Sequence, residues 1–529
     1  MSKLSAEMEI EPNLALPLAY GSFSLLDVLE SLDSTGFVEQ TEDGLLYIYY
    51  TDTAYSVNAA ELITLPNKFA TEIYIQSDVE IPIWLALGEG EVYTFTKTDM
   101  MDFVIDPGDQ IDSLYLREGD LNINVFSEFK HAGELTISSS QIIDPNGDTL
   151  NEKFVISEVD GSYTAVENYD MTGYKLDIDQ VDSVASVRIN FALELTKSSA
   201  GIGVDEECGI TIDFENMVFS HIFGQISERE VINVSQSMDI GFYDAVSEIL
   251  NVYFKDPQFN FTVENSYGVP VNLNLSNVRA RSSQDGLFYD LTFEPGIMPF
   301  NVLAPEIDQL GETVTTTLFI NNETSNIGEI ISRAPDMINF EVIAGTGDGS
   351  GTGQQNFVLD TSKLIVKAEL VLPMWLRTDG YTLQDTMDMD LEGMLGNLSF
   401  VKDASIRLTT LNEWPLGVDM QVYFMDADYN VLDTLFKEEN IFLLAAPVDM
   451  NGELDNSQLV ENINEVAYSG DELLNLDGTK YVKIKAHATT TNNGEEFVKF
   501  FSHYLLNYRM SIDAQFHLNP SELSGGEQQ

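Results

Sequence analysis

Three times along this chain a strand carrying Met-Asp is followed, at nearly the same distance, by a break and a second apolar strand. The stretches "MDFVID" (from Met101), "MDIGFYDA" (from Met238) and "MDMDLEG" (from Met387) open the three copies. The break comes 28 to 32 residues later, at "HAGELTI" (Gly133), "YGVPVNLNL" (Pro270) and "EWPLGVDMQV" (Pro415). After 11 or 12 further residues a polar turn follows: "DPNGD" from Asp144, "SSQDG" from Ser282 and "DADYN" from Asp426. Self-similarity of this kind restricts the fold to units that are built alike. Pro270 and Pro415 lack an amide donor and belong at strand starts or edges. The Gly, Asn and Asp residues of the turns tolerate hairpin geometry.

Within the copies the periodicity is two. "VRINFALEL", "FNFTVENS", "ASIRLTTL" and "YVKIKAHAT" alternate apolar and polar residues, as half-buried strands do. A short helix-like piece precedes the last strand in "SNIGEIISRAPDMINFEVIAGT" and "SGDELLNLDGTKYVKIKAHATT", with "DIDQVDSVASVRINFALELT" as the first copy's counterpart. Ahead of the Met-Asp strand, "IPIWLAL" (Trp84) matches "LPMWLRT" (Trp375), with "HIFGQIS" between them in order. Near the start, "SFSLLDVLESLD" predicts a helix capped by Ser22 or Ser24, with Leu25, Val28, Leu29 and Leu32 on one stripe. "GLLYIYYTDTAYSVNAAELI" is a hairpin candidate. The expectation is a mainly β chain: three tandem β-sandwich-like domains, each with a short helix, preceded by a small N-terminal α+β module. The borders are 1–77 for the module and 78–213, 214–365 and 366–529 for the repeats, sizes normal for single domains.

Composition narrows function more by exclusion than by assignment. The 529 residues carry 87 acidic and 25 basic side chains, a formal charge of -62, and are 44% hydrophobic. Such a surface repels phosphate backbones and anionic headgroups, so nucleic acid is not an expected partner. The longest apolar runs, such as "IFLLAAPV", fall well short of the ~20 residues of a membrane-spanning helix. Cys208 is the one cysteine, so neither a disulfide framework nor a cysteine metal site is available within the chain.

Catalytic elements are not visible. His131, His221, His487, His503 and His517 form no paired-ligand spacing, and catalytic zinc needs about three protein ligands. No GxSxG elbow occurs, and the acids flanking Cys208 in "DEECGITIDF" raise a thiol pKa rather than lower it. The glycine-rich "AGTGDGSGTGQQNF" lacks the Lys-Ser/Thr of a phosphate loop and predicts a flexible connection. Acid pairs are too common among 87 acids to mark a glycosidase. "DADYNVLD" offers Asp426, Asp428, Asn430 and Asp433, but an EF-hand would need Gly and a bidentate acid where Val431 and Lys437 stand. Calcium at looser acidic turns, "DPGDQID" (Asp106, Asp109, Asp112) or "DTMDMD" (Asp385, Asp388, Asp390), is the one cofactor to consider; solvated turns are the simpler expectation. Trp84 and Trp375 are expected in cores or interdomain contacts. Trp414, beside a break, and Tyr423 are the candidate ligand contacts.

At "VDMQVYFMDADYNVLDTLF", "EIISRAPDMINFEV" and "LVLPMWLRTDGYTLQDTMDMDL" the chain resembles exported cell-envelope proteins of Bacteroidota, mostly-β and often lipoproteins. "DPQFNFTVENSYGVPVNLNLSNV" is similar, more loosely, to late-embryogenesis-abundant-type sandwich domains. The resemblance implies an extracellular or outer-membrane-associated location and no catalytic residues. The opening "MSKLSAEMEIEPNLALPLAYG" departs from it, with neither the apolar core of a signal peptide nor a lipid-modified cysteine. Asp-Ser/Thr-apolar triplets at Asp52, Asp112, Asp148, Asp182, Asp385 and Asp433 resemble the O-glycosylation sequence of such exported proteins, and are equally natural turn-to-strand junctions. The function expected is a non-enzymatic structural or interaction protein with protein partners or self-association. A polysaccharide- or lipid-binding module is the alternative, and an acidic glycosidase-like enzyme the third reading.

Overall fold

The computed structural model describes residues 13–516, apart from 27–28, 30–36, 60–64, 66–67, 77–80, 104–108, 158, 182–183, 204–205, 244–247, 347–355, 389–400, 438–439 and 477. The chain is mainly β, built of antiparallel sheets, with three short α-helices among the described residues. Besides the short strand Phe37–Gln40, three strands come first: β1 (Asn13–Ser24), β2 (Leu46–Asn58) and β3 (Lys68–Gln76). The first copy supplies β4 (Val92–Phe103), β5 (Gln110–Ser127), β6 (Gly133–Ile143), β7 (Tyr163–Asp170), β8 (Val184–Thr196) and β9 (Glu207–Gln225). The second supplies β10 (Glu230–Asp239), β11 (Gln258–Asn265), β12 (Val271–Ser282), β13 (Val314–Ile320), β14 (Pro335–Thr346) and β15 (Lys363–Pro373). In the third, β16 (Trp375–Asp388), β17 (Val401–Asn412), β18 (Leu416–Met425), β19 (Glu461–Ser469), β20 (Tyr481–Thr490) and β21 (Leu505–Phe516) follow. Further strands extend the edges of these sheets.

The sequence repeat is a repeat of strand pairing. The Met-Asp strand and the strand after the break flank the last alternating strand, as β4-β8-β6, β10-β14-β12 and β16-β20-β18. Even the register is shared. Met101, Met238 and Met387 pair with Val187, Ile338 and Val482. Six residues further along the central strand, Leu193, Ala344 and Ala488 pair with Leu135, Leu273 and Val418. The strand before the break forms the second sheet, between the fourth and sixth strands of its copy: β7-β5-β9, β13-β11-β15 and β19-β17-β21. The inward faces meet as sandwich layers do. Phe103 of β4 packs on Phe214 of β9 at 6.0 Å, and Phe340 of β14 on Phe259 and Phe261 of β11 at 5.6 and 5.3 Å. In the third copy Val422, Phe424 and Val482 cluster with Ala404 and Tyr468. In the first copy a short strand at Lys175–Asp177 pairs with both β5 and β6, making its two sheets continuous.

Each of the three leading strands closes a different copy, in reverse order. β1 pairs with β21 of the third copy, β2 with β15 of the second and β3 with β9 of the first. Every copy thereby gains a strand donated by residues that precede the first. Pro17 sits in β1 beside a register shift between Pro17 and Ala19, and β1 is the edge of its sheet, where a missing amide is tolerated. The predicted borders at 213/214 and 365/366 fall inside β9 and β15.

Several local expectations need correction. "GLLYIYYTDTAYSVNAAELI" is no hairpin: Leu46–Asn58 is one strand, and the turn lies before it, at Thr41–Leu45. Ser22 and Ser24 lie in β1, and Ser24 stands directly before helical Leu25; Leu25, Leu26 and Leu29 are helical, Leu25 and Leu29 are buried, and Val28 and Leu32 lie outside the described residues. The helices α1 (Ile81–Ala86), α2 (Ile327–Ser332) and α3 (Gly470–Asn475) fall one to a copy. α2 and α3 stand where expected, and α3 carries a capping box between Ser469 and Glu472. In the first copy Lys175–Asp177 and Asp179–Val181 form short strands instead, and the helix is at "IPIWLA". Trp84 and Trp375 are therefore not equivalent: one is helical and buried, the other begins a strand and is half-buried. The glycine-rich connection lies mostly outside the described residues.

Candidate functional site

The acidic turns are built by their own carboxylates. At "DADYN" the amides of Asp428 and Asn430 donate to Asp426 Oδ1 at 2.8 and 2.9 Å, and Asn430 Nδ2 donates to Oδ2 at 3.0 Å. "DPNGD" repeats this around Asp144, with amides from Asn146 and Asp148 at 2.9 and 2.7 Å. "DMNGE" repeats it again around Asp449, at 2.8 and 3.0 Å. In all three the fourth residue (Tyr429, Gly147, Gly452) has positive φ, as in a type I turn with a bulge. Hydrogen bonds from the Asn430 and Asn146 side chains lower the Asp426 and Asp144 pKa values, and the Glu453 amide does so for Asp449. The middle copy differs: Ser282 Oγ accepts from the Gln284 amide at 3.2 Å, with Gly286 at positive φ. Hairpin geometry is thus what the turns share.

Asp109, a calcium candidate by sequence, is committed elsewhere. It accepts from the amide and hydroxyl of Ser227 at 2.8 and 2.7 Å, and from Arg229 at 3.0 Å. Its side chain is 6% exposed, so the pair fastens β5 of the first copy to the entry of β10 in the second. Asp106 and Asp390 lie outside the described residues, and Asp388 is exposed. Among the described residues, no cluster of three or more His, Cys, Asp or Glu could hold a metal ion.

Cys208 lies in β9 between β3 and β5, fully buried, and its thiol is pushed up to about 12. Burial is the main cause and Glu207 the lesser one, so the neighbouring acids are not the chief reason. His131 is also fully buried, its ring 4.6 Å from Trp84 and its Nδ1 2.9 Å from Ser198 Oγ. Burial holds its pKa below the ordinary value. His487 meets Thr382 Oγ1 at 3.2 Å, and His221 meets Ser220 Oγ at 2.9 Å. Each of these rings has a hydroxyl within hydrogen-bond distance of Nδ1, and His131 Nε2 is buried without a partner among the described residues.

The two sequence-predicted contacts are separated by the sheet. Trp414, a candidate ligand contact beside the break, is buried, and its Nε1–H donates to the Tyr504 carbonyl at 3.1 Å. Tyr423 is half-buried and adjoins Val422 and Phe424, whose side chains enter the core on the opposite face of β18. Trp414 instead walls an apolar cavity of about 220 Å³. Leu416, Val418, Ala486 and Ala488 line it from the third copy's sheet, Phe242 and Val252 from the second copy, and Leu25 and Leu29 from the chain after β1.

Exposed aromatics occur at places that sequence did not single out. Tyr429, at the "DADYN" turn and 59% exposed, stacks on Tyr481 with centroids 4.3 Å apart. Tyr20, 83% exposed, borders an open groove of about 440 Å³ with Thr409, Leu411, Glu461, Asn507 and Arg509. Cross-strand register puts Tyr20, Arg509 and Thr409 on one face of that sheet. Spacing along the sequence carries no sign of this, because the three strands are nearly 500 residues apart at the extremes. The triplet hydroxyls divide: Thr53, Thr149 and Thr386 are exposed, Thr434 is half-buried, Ser113 is buried, and Ser183 lies outside the described residues.

No protein-family model and no curated protein matches this chain in sequence. Among solved structures it is similar to a presumed secreted protein of Parabacteroides distasonis, a member of the Bacteroidota, at 9% identity and a TM-score of 0.27, covering 95% of this chain and 99% of that one. It is similar also to the infectious bursal disease virus Gt strain structure, at 10% identity, a TM-score of 0.14 and 94% and 83% coverage. The VP2 subviral particle of the same virus gives 8%, 0.15, 95% and 89%. At these scores the likeness assigns neither family nor activity. No helix among the described residues is long and apolar enough to cross a membrane.

Proposed function

We propose that this chain is a non-enzymatic structural protein of the bacterial cell envelope or extracellular surface, serving as a subunit of a larger assembly. The observation that supports this reading is the donation of β1, β2 and β3 to the third, second and first copies. A leading segment paired along all three sandwiches couples them mechanically, because no copy can separate from the array without breaking a strand pair. Linked domains move relative to each other by default unless their interface is substantial. The acidic surface keeps such an array dispersed and favours basic or cation-bearing partners. Buried Cys208 fits a chain in which such a group serves the fold.

Cross-linking of the native protein in its source cells, followed by affinity capture and mass spectrometry, tests the reading. The expected result is a reproducible set of envelope or surface proteins, or further copies of this chain. Recovery of a monomer alone under those conditions contradicts it.

A further inference from the structure

The cavity beside Trp414 has a cause that the repeat makes visible. From the shared register, Ala486 and Ala488 of β20 correspond to Phe191 and Leu193 of β8 and to Val342 and Ala344 of β14. Phe191 and Leu193 are 1% and 0% exposed, and Val342 and Ala344 are 0% and 1%. Side-chain volume at one pair of core positions thus falls from Phe/Leu through Val/Ala to Ala/Ala along the chain. Where it is smallest, a cavity of about 220 Å³ lies open between the third copy, the second copy and Leu25 and Leu29. A well-packed interior keeps few voids larger than a water molecule. Dry apolar cavities of ~150 Å³ take up benzene-sized ligands.

We infer that this cavity is a binding site for one hydrocarbon chain of a neutral amphiphile. Among the described residues its polar wall groups are the Thr378 hydroxyl, which accepts the Gly380 amide at 3.2 Å, and the Trp414 Nε1–H, which donates to the Tyr504 carbonyl at 3.1 Å. No described wall group therefore calls for a polar or charged moiety inside. The chain's charge of -62 disfavours an anionic headgroup at the mouth. Trp414 in the wall and Trp375 beside it are tryptophan donors for a bound dye. This inference is independent of the scaffold reading, and either can fail without the other.

The test uses the full chain and the neutral dye N-phenyl-1-naphthylamine. Saturable one-to-one enhancement of dye fluorescence is expected, with energy transfer from tryptophan that Trp414→Phe reduces and Trp375, between the wall residues Met374 and Leu376, partly retains. Decanol should displace the dye at concentrations at least tenfold lower than decanoate does. Ala486→Phe, which restores the first copy's side chain, should weaken dye binding at least tenfold while circular dichroism and the melting transition stay those of a folded chain. Should that variant fail to fold, Ala486→Val, which restores the second copy's side chain, must still weaken binding severalfold. No saturable binding by the folded chain overturns the proposal, and so does binding that persists unchanged in the folded filling variant. Equal displacement by decanoate overturns the neutral class of ligand.

Discussion

At single residues, the structure explains why the first copy breaks with glycine where the others use proline. A Cβ added at Gly133 would stand 2.1 Å from the Glu194 carbonyl oxygen and 2.8 Å from Leu195 Cδ2. The nearer contact is backbone and has nowhere to go. Gly133→Ala is expected to cost about 2–3 kcal/mol, the upper range for overpacking, as a lowered urea midpoint with an unchanged slope. His131 makes a second prediction, in pH. Its folded pKa is held below the ordinary 6.5 by burial, so the unfolded chain binds a proton first as pH falls. The stability due to this group is complete above about 6.5 and is lost as pH drops below that. The turn carboxylates Asp144, Asp426 and Asp449 act lower, below their ordinary 3.8. Urea midpoints of wild type and His131→Gln, compared from pH 7 to 5, should converge as pH falls. A constant gap would contradict it. The acidic turns themselves were readable, because Asx-type turns follow from local chemistry. Trp414 was not: its exposure depends on the Tyr504 carbonyl, 90 residues away.

Among elements, strands and breaks were legible wherever alternation or a ring-locked φ marked them, and Gly133, Val271 and Leu416 do begin or immediately follow the predicted breaks. Helices α2 and α3 were legible for the same reason, since α3 carries its cap locally. The partners of β1, β2 and β3 were not. Alternation states which face of a strand is buried and says nothing about which distant strand lies beside it. The shrinking pair at Ala486 and Ala488 was equally hidden, since alanine in a strand is unremarkable until register aligns it with Phe191 and Leu193. β1 should matter to one copy above the others. Removing residues 1–24 uncovers the β21 edge, so proteolysis should speed up at 366–516 while 92–346 stays resistant. Uniform sensitivity, or none, would count against this local dependence. Asp109 tests the joint between the first two copies. Asp109→Asn weakens the hold on Arg229, whose side chain is 24% exposed, and should cost about 1–3 kcal/mol by urea melt, the range for a group left without its partner.

On the scale of the whole molecule, the tandem copies are the part that composition and spacing announced, and their coupling is the part that only the pairing revealed. A sequence repeat suggests independent units in a row. Pairing of a leading segment with all three makes them interdependent, with β1 and β21 joining the two ends of the chain in one ladder. The measurement that bears most directly on this is hydrogen–deuterium exchange of the intact chain, resolved by peptide. Residues 13–24, 46–58 and 68–76 should show protection comparable to β21, β15 and β9, their respective partners. Complete exchange of all three leading strands within seconds, with 92–516 still protected, would contradict the account.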